Sequence, residues 1–266
     1  MRASNLRRWL NWVALVVVFS IACGFLANWQ FSRRETKLAS IELIQRNYSL
    51  PPTSITDVLR ESHFSIPDAD WRSVRITGAY VQDSSLLVRN RPNNGQPGFE
   101  QLVPFRTDTG TVIFISRGWL PTGSSQDSPD QIPLPPSGQI EIVGRLLPSE
   151  PRVDRGAPSG QIASIHVPLA NRLTNQDAIP NGYLRLVSEA QNNPKSLRAM
   201  PPPSIDEGNN LSYAMQWMLF AIMAILALFW RIKKDRELNN GGDSRSDRKS
   251  SSNLDEEIED SVTRAK

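Results

Sequence analysis

Two stretches of this chain carry no ionised side chain, residues 9–27 (WLNWVALVVVFSIACGFLA) and 211–230 (LSYAMQWMLFAIMAILALFW). A helix needs about 20 apolar residues to cross a hydrocarbon core, and each stretch has that length. Between them the pattern changes twice. Residues 30–47 keep apolar positions at Leu38, Ile41, Leu43 and Ile44, so the first helix is predicted to continue past its apolar run. PPTSITDVLR then supplies a proline turn, Thr53 or Ser54 as an N-cap, and one short helix. Beyond it the period falls to two. Val74 and Ile76 alternate with Ser73, Arg75 and Thr77, Ile140 and Ile142 with Gln139 and Glu141, and Leu184 and Leu186 with Arg185. Such alternation predicts half-buried strands, and SSLLVRN and TVIFISRGW read as further strands. Turn signals stand between them at 92–98 (PNNGQPG) and 120–138, and MPPPSIDEGN (200–209) reads as an extended spacer.

The expected fold is an α+β membrane protein, with two transmembrane helices flanking a mostly antiparallel, β-rich extracytoplasmic domain. Residues 1–8 form a cytoplasmic N-terminus, 9–27 and 211–230 the two transmembrane helices, and 28–210 the domain. Five or six strands with no helix-length segment between them suit a barrel-like or sandwich core. Residues 231–266, polar and poor in apolar side chains, are expected to be a disordered cytoplasmic tail. Charge sets the orientation. Basic and acidic residues balance between the apolar runs, 18 of each, and after Trp230, 9 of each, so the net +3 sits on Arg2, Arg7 and Arg8. Arg231, Lys233, Lys234 and Arg236 crowd the end of the second run, and positive flanks favour the cytoplasmic side. Arg33, Arg34 and Lys37 argue the other way for the first run, but the second run's signal is clean. Nucleic-acid binding is not indicated, because the central region has no basic stripe. The single cysteine, Cys23, lies inside the first run, which excludes an intramolecular disulfide and a paired-thiolate metal site. That run is longer than a secretory signal core, which favours an uncleaved anchor.

A search for catalytic chemistry finds nothing organised. His63 and His166 lack local signatures, Asp68 and Asp70 form the nearest carboxylate pair, and no nucleophile elbow, phosphate loop or dinucleotide fingerprint is present. The chain is therefore not expected to be an enzyme. What stands out is aromatic and amide chemistry where the apolar runs end. Trp29, Gln30 and Arg33 follow the first run. Tyr213, Gln216 and Trp217 open the second with i, i+3, i+4 spacing, on one helix face. An aromatic belt accounts for Trp29, Arg33 and Trp217, but an amide at the boundary gains most by bonding across helices. The glutamines thus suggest packed spans with a shared polar pocket.

These residues carry a resemblance. GFLANWQFSRRETK resembles the Gly-x-Trp-Gln-x-x-Arg segment of the Surfeit locus protein 1 family, LVRNRPNNGQPGFEQLVPF and FISRGWLP its central strands, and LSYAMQWMLFA its second-span signature. The matches fall in family order over roughly residues 24–230. The resemblance implies an assembly factor for haem-copper cytochrome c oxidase, with the oxidase core subunit and the lipid bilayer as partners, assisting insertion or retention of haem a. It marks Trp29, Gln30, Arg33, Tyr213, Gln216 and Trp217 as candidate partner or haem contacts. It also marks Arg117, Gly118 and Trp119 as a motif, for which a structural role (Gly118 in a turn, Trp119 in the core) stays open. Many family members carry a histidine just before Leu-Ser-Tyr, where this chain has Asn210, a poor iron ligand. The cofactor therefore stays open: the resemblance implies haem a, but Asn210 stands where its histidine ligand would be, and no metal site is assigned. An apolar run starting by residue 9 leaves no room for a presequence, so the bacterial cytoplasmic membrane is the expected location. The alternative reading is an extracytoplasmic binding or sensor module signalling through the tail.

Overall fold

The structure, a computed structural model, describes residues 3–63, 65–190 and 197–263, with side chains within residues 7–237. The chain divides into two compact units, one of Met1–Leu38 with Asp206–Lys266 and the other of Ala39–Ile205.

The first unit is helical. Helix α1 spans Ala3–Tyr48 and α4 spans Asn210–Thr263. Within them Arg7–Tyr48 and Asn210–Glu237 are long and apolar enough to cross a membrane. Most of their large apolar side chains are exposed, as a lipid-facing surface requires, while Cys23, Ala27 and Ala214 are buried. Small residues at a buried helix face let backbones approach closely. Side chains link both ends of the pair: Arg8 lies 3.7 Å from Asp235, Arg231 stacks on Trp12 at 5.6 Å, and Arg34 binds Glu207 at 3.0 Å. The two helices therefore run antiparallel. The backbone of α4 continues helical to Thr263, where a disordered tail was expected. A polar composition denies this segment a core, but it contains no proline to break a helix. Arg2 and the tail side chains beyond Glu237 lie outside the described residues.

The second unit is built on β1 (Thr53–Ser54), β2 (Ser73–Tyr80), β3 (Leu86–Val88), β4 (Gly98–Thr107), β5 (Val112–Pro121), β6 (Ile140–Pro148), β7 (Gln161–Ile162) and β8 (Gly182–Glu189). Helix α2 (Ile55–Glu61) is capped by the Ser54 side chain, and α3 (Val167–Thr174) packs between β7 and β8 in sequence. The sheet order is β1-β2-β6-β8-β5-β4-β3-β7, and β2 also pairs with β4. That extra pairing closes a ring, β2–β6–β8–β5–β4–β2. The domain is a five-stranded barrel with β1, β3 and β7 appended.

The sheet is mixed but mostly antiparallel, as expected: five pairings are antiparallel, and only the short β1–β2, β3–β7 and β5–β8 pairs are parallel. The connection from β5 to its parallel partner β8 runs through β6, β7 and α3, a helix the sequence reading missed. Three short cues make α3: the His166 ring nitrogen accepts the Leu169 amide at 3.2 Å, Pro168 sits in the first turn, and Asn175 closes the helix with φ 51°. Inside the barrel, Val74, Ile76, Val103, Phe105, Ile113, Ile115, Ile140, Ile142, Leu146 and Leu184 form one apolar core. A second cluster (Leu86, Val88, Leu102, Phe114, Ile165, Val167 and Ala170 among others) fills the space under α3. Closure at β2–β4 depends on Gly78, where any Cβ would overlap the Arg106 carbonyl.

Candidate functional site

The six residues from the helix ends all lie in the helical unit. Trp29 and Tyr213 are each 51% exposed, Gln216 is exposed, and Gln30 and Trp217 are half-buried. Arg33 stacks on Trp29 at 5.1 Å, one helical turn away, and Trp217 meets Phe220 edge-on at 5.9 Å. Asn210 is the first residue of α4. Each triplet is thus ordered along its own helix. Among the described residues neither the Gln30 nor the Gln216 side chain makes a hydrogen bond, and the buried positions are the small residues rather than the amides.

Arg117, Gly118 and Trp119 lie instead in the barrel, on β5. The register of β4 with β5 pairs Leu102 with Ser116 but Gln101 with Gly118, so Arg117 is the extra residue of a β-bulge. Ile113, Ile115 and Arg117 recur at period two, which carries the guanidinium into the barrel interior behind two isoleucines. There the Arg117 side chain is fully buried, and its Nη2 donates to Glu189 Oε1 at 3.0 Å. Nη1 donates to Gln101 Oε1 at 3.0 Å, and the ring of Tyr80 lies 5.2 Å from the guanidinium carbon. The Tyr80 hydroxyl donates to the other Glu189 oxygen at 3.1 Å. Burial, reinforced by the adjacent Glu189 charge, pushes the Tyr80 hydroxyl well above the ordinary phenol range. Charge-assisted bonds thus fill the polar end of an otherwise apolar barrel.

Gly118 is not a turn residue. It sits within β5 at φ 151°, and a Cβ there would lie 2.7 Å from the Arg198 carbonyl and 2.9 Å from Leu197. Its absence lets residue 198 pair with Trp119 through two backbone bonds of 2.7 and 2.9 Å. Trp119 is fully buried, its indole N–H donates to the Arg91 carbonyl at 2.6 Å, and the Arg198 guanidinium covers its ring at 5.1 Å. Beside it a second charged network runs through Glu100, which accepts the Ser116 hydroxyl at 2.6 Å and lies 3.3 Å from Arg91 Nε. Arg91 also binds Glu150, whose carboxylate accepts the Ile165 amide at 2.8 Å.

Sequence reasoning missed Glu100, Gln101, Glu150 and Glu189. The available signal was an adjacent acid and amide inside the apolar run GFEQLVPF. His166 serves as a helix cap, and His63 is exposed at φ 51°. Among the described residues no three His, Cys, Asp or Glu side chains are grouped to hold a metal ion. Four surface clefts of about 250 to 530 Å³ are lined by none of the nine candidate residues. Arg117 and its neighbours form a buried, ion-paired network.

Fold and site together define a closed β-barrel domain carried between two helices that have the length and composition of membrane spans. The chain belongs to the SURF1 family, whose model matches residues 17–222, from within α1 to within α4. A SURF1-like protein of Mycobacterium tuberculosis is 33% identical over 227 residues, covering 83% of this chain and 82% of that protein. The cytochrome oxidase assembly protein SHY1 of Saccharomyces cerevisiae is 25% identical over 146 residues, 53% of this chain and 36% of that protein. Surfeit locus protein 1 of Xenopus tropicalis is 26% identical over 160 residues, 54% of this chain and 50% of that protein.

Proposed function

We propose that this chain is a membrane-bound assembly factor for a haem-copper cytochrome c oxidase, working on the core subunit as haem a is inserted or retained. The observation that carries this reading is the family match, which runs from within the first apolar helix to within the second and includes the whole barrel. The yeast relative's name gives the process, cytochrome oxidase assembly. In this reading both termini are cytoplasmic and the barrel faces outward, as the basic flank after Trp230 supports.

Haem a is here cargo rather than resident cofactor. Arg33 offers a cation for a propionate, and Trp29, Tyr213 and Trp217 offer flat apolar surface for a porphyrin. Asn210 is an amide where many relatives carry histidine, so this set suits a carboxylate-bearing planar molecule without axial ligation. In this reading the six side chains hold cargo or subunit.

The test is a reduced-minus-oxidised spectrum of membranes from a strain lacking this protein, read at the haem a band. Loss of the band, with other cytochromes intact and rescue by the gene, is the expected result. An unchanged band under conditions that require the oxidase would end this reading and favour a sensor acting through the tail.

A further inference from the structure

Where β6 pairs with β8, Arg145 stands directly opposite Arg185. Partners across an antiparallel pair point to the same face, with Cβ atoms about 4.5–5.5 Å apart. Their strand neighbours Leu146, Leu184 and Leu186 pack in the apolar core, so both arginine side chains lie on the outer face of the barrel. Both residues are half-buried. Like charges so placed destabilise a sheet unless something offsets them. Nearby arginines are paired, Arg72 with Glu61 at 3.3 Å and Arg75 with Glu141 at 3.5 Å. Among the described residues neither Arg145 nor Arg185 lies within ion-pair distance of a carboxylate. Asp70 is near enough to interact with Arg185, yet it lies beyond that distance. Burial lowers the Arg145 guanidinium below its ordinary value, opposed only by Tyr48, where a carboxylate at hand would raise it.

Rings and carbonyls hold the two side chains in place. The Arg145 guanidinium covers Tyr48 at 3.9 Å, and its Nη1 donates to the Tyr48 and Trp71 carbonyls at 2.7 and 3.3 Å. The Arg185 guanidinium covers Trp71 at 5.1 Å, and the two rings lie 6.1 Å apart. The Nε of each arginine is shielded from water and has no acceptor among the described residues. Nη2 of Arg145 and both Nη atoms of Arg185 likewise lack a protein acceptor there. Trp71 adopts φ 65°, a left-handed conformation that is an outlier for a bulky side chain. Its amide donates to the Leu146 carbonyl at 2.8 Å, and the Leu146 amide donates to the Arg72 carbonyl at 2.9 Å, which locks the strained turn onto β6 beside Arg145. Strain of this kind persists where the surroundings over-determine it, and it gathers at ligand clamps. A guanidinium stacked on a ring keeps its N–H edge for an oxyanion.

We infer that Arg145 and Arg185 form an oxyanion-binding site on the outer wall of the barrel, taking the phosphate or carboxylate group of a soluble ligand. An anion between the two guanidiniums replaces their repulsion with charge-assisted hydrogen bonds, and the stacked side chains lose little freedom when it arrives. The site uses none of the six helix-end residues and does not rest on the assembly reading.

The test uses the full chain in detergent at constant ionic strength, with chloride replaced stepwise by inorganic phosphate or by citrate. Amide hydrogen exchange is read by mass spectrometry on peptides from β6 and β8. At least one of the two anions should slow exchange there about fivefold or more, which corresponds to a ligand at about four times its Kd where opening limits exchange. Slowing by phosphate alone assigns a phosphoryl group, by citrate alone a carboxylate, and by both an oxyanion of either kind. Arg185→Gln should exchange no faster than the parent in chloride, since it removes a like charge, and should lose the anion effect. Arg75→Gln, an exposed control whose arginine pairs with Glu141, should keep it. No slowing by either anion beyond chloride overturns the site. So does an equal effect in Arg185→Gln, which is a general salt response, or faster exchange of that variant in chloride, which shows that the barrel itself needs the charge.

Discussion

Breaking the Arg117–Glu189 pair should unfold the barrel from its polar end. The charges sit 3.0 Å apart with both side chains essentially inaccessible to water. At an effective dielectric of about 20 that separation corresponds to roughly 5 kcal/mol of attraction, before the cost of removing both ions from water. The two terms nearly cancel, so the intact pair adds little net stability. Removing one partner leaves the desolvation cost without the attraction, and such changes cost about 3–5 kcal/mol. Arg117→Met should fall near the lower figure, because Tyr80 still donates to Glu189. Glu189→Leu should cost at least as much, since Arg117 then keeps only neutral partners, Gln101, the Pro133 carbonyl and the Tyr80 ring. The double variant, with neither charge present, should be far less destabilised than the sum of the singles.

Amide hydrogen exchange of the full chain in detergent, read by mass spectrometry on peptides from β4, β5 and β8, measures this locally. A loss of about 3 kcal/mol raises exchange roughly 150-fold where opening is the limiting equilibrium. The double variant should return most of that protection. Additive single effects, or a single-variant cost below about 1 kcal/mol, would refute the assignment of Arg117 and Glu189 as one buried unit. Arg117→Lys is a useful intermediate, keeping the charge but losing the two-armed donor that reaches Glu189 and Gln101 together.

Gly118→Ala should destabilise the barrel by about 2–3 kcal/mol, because its φ of 151° and the nearby Arg198 carbonyl both exclude a side chain. A melting temperature within a degree of the parent would contradict this. Burial lifts the Asp70 carboxyl to about 6, against partial opposition from the Trp71 amide and Arg185. The folded chain therefore holds this proton while the unfolded chain releases it near 4, and the associated stability is lost as pH rises from about 4 to 6. Asp70→Asn should remove that slope, so a wild-type-minus-variant difference that is flat between pH 4 and 7 would refute it. Gln216→Leu should stay in the membrane yet lower the haem a band, and a normal band would remove the case for a functional amide. Deleting residues 238–266 should leave oxidase maturation intact, whereas a sensor would lose its output.

How much of this could be read from sequence depends on the range of the interaction. The two apolar helices and the strands β2, β6 and β8 follow from composition and local period, and both are written in consecutive residues. Barrel closure is not, because it requires β2 to pair with both β4 and β6, and β8 to return parallel to β5. The ion pair at the barrel's end joins residues 72 apart, and the tyrosine that completes it lies 109 residues from Glu189. No local pattern announces such partners.

The Arg-Gly-Trp segment lies between these cases, for its presence was legible and its meaning was not. As a string it fitted a turn, a core position or a contact. In the fold its three residues do three separate jobs within one strand. The bulge carries Arg117 into the barrel, where it binds Glu189 and holds the loop through the Pro133 carbonyl. Gly118 removes the Cβ that would keep residue 198 away, and Trp119 seals the strand by donating to Arg91 from the core. The three side chains therefore support the same strand by separate contacts, Arg117 inside the barrel, Gly118 against residues 197–198 and Trp119 beneath Arg91.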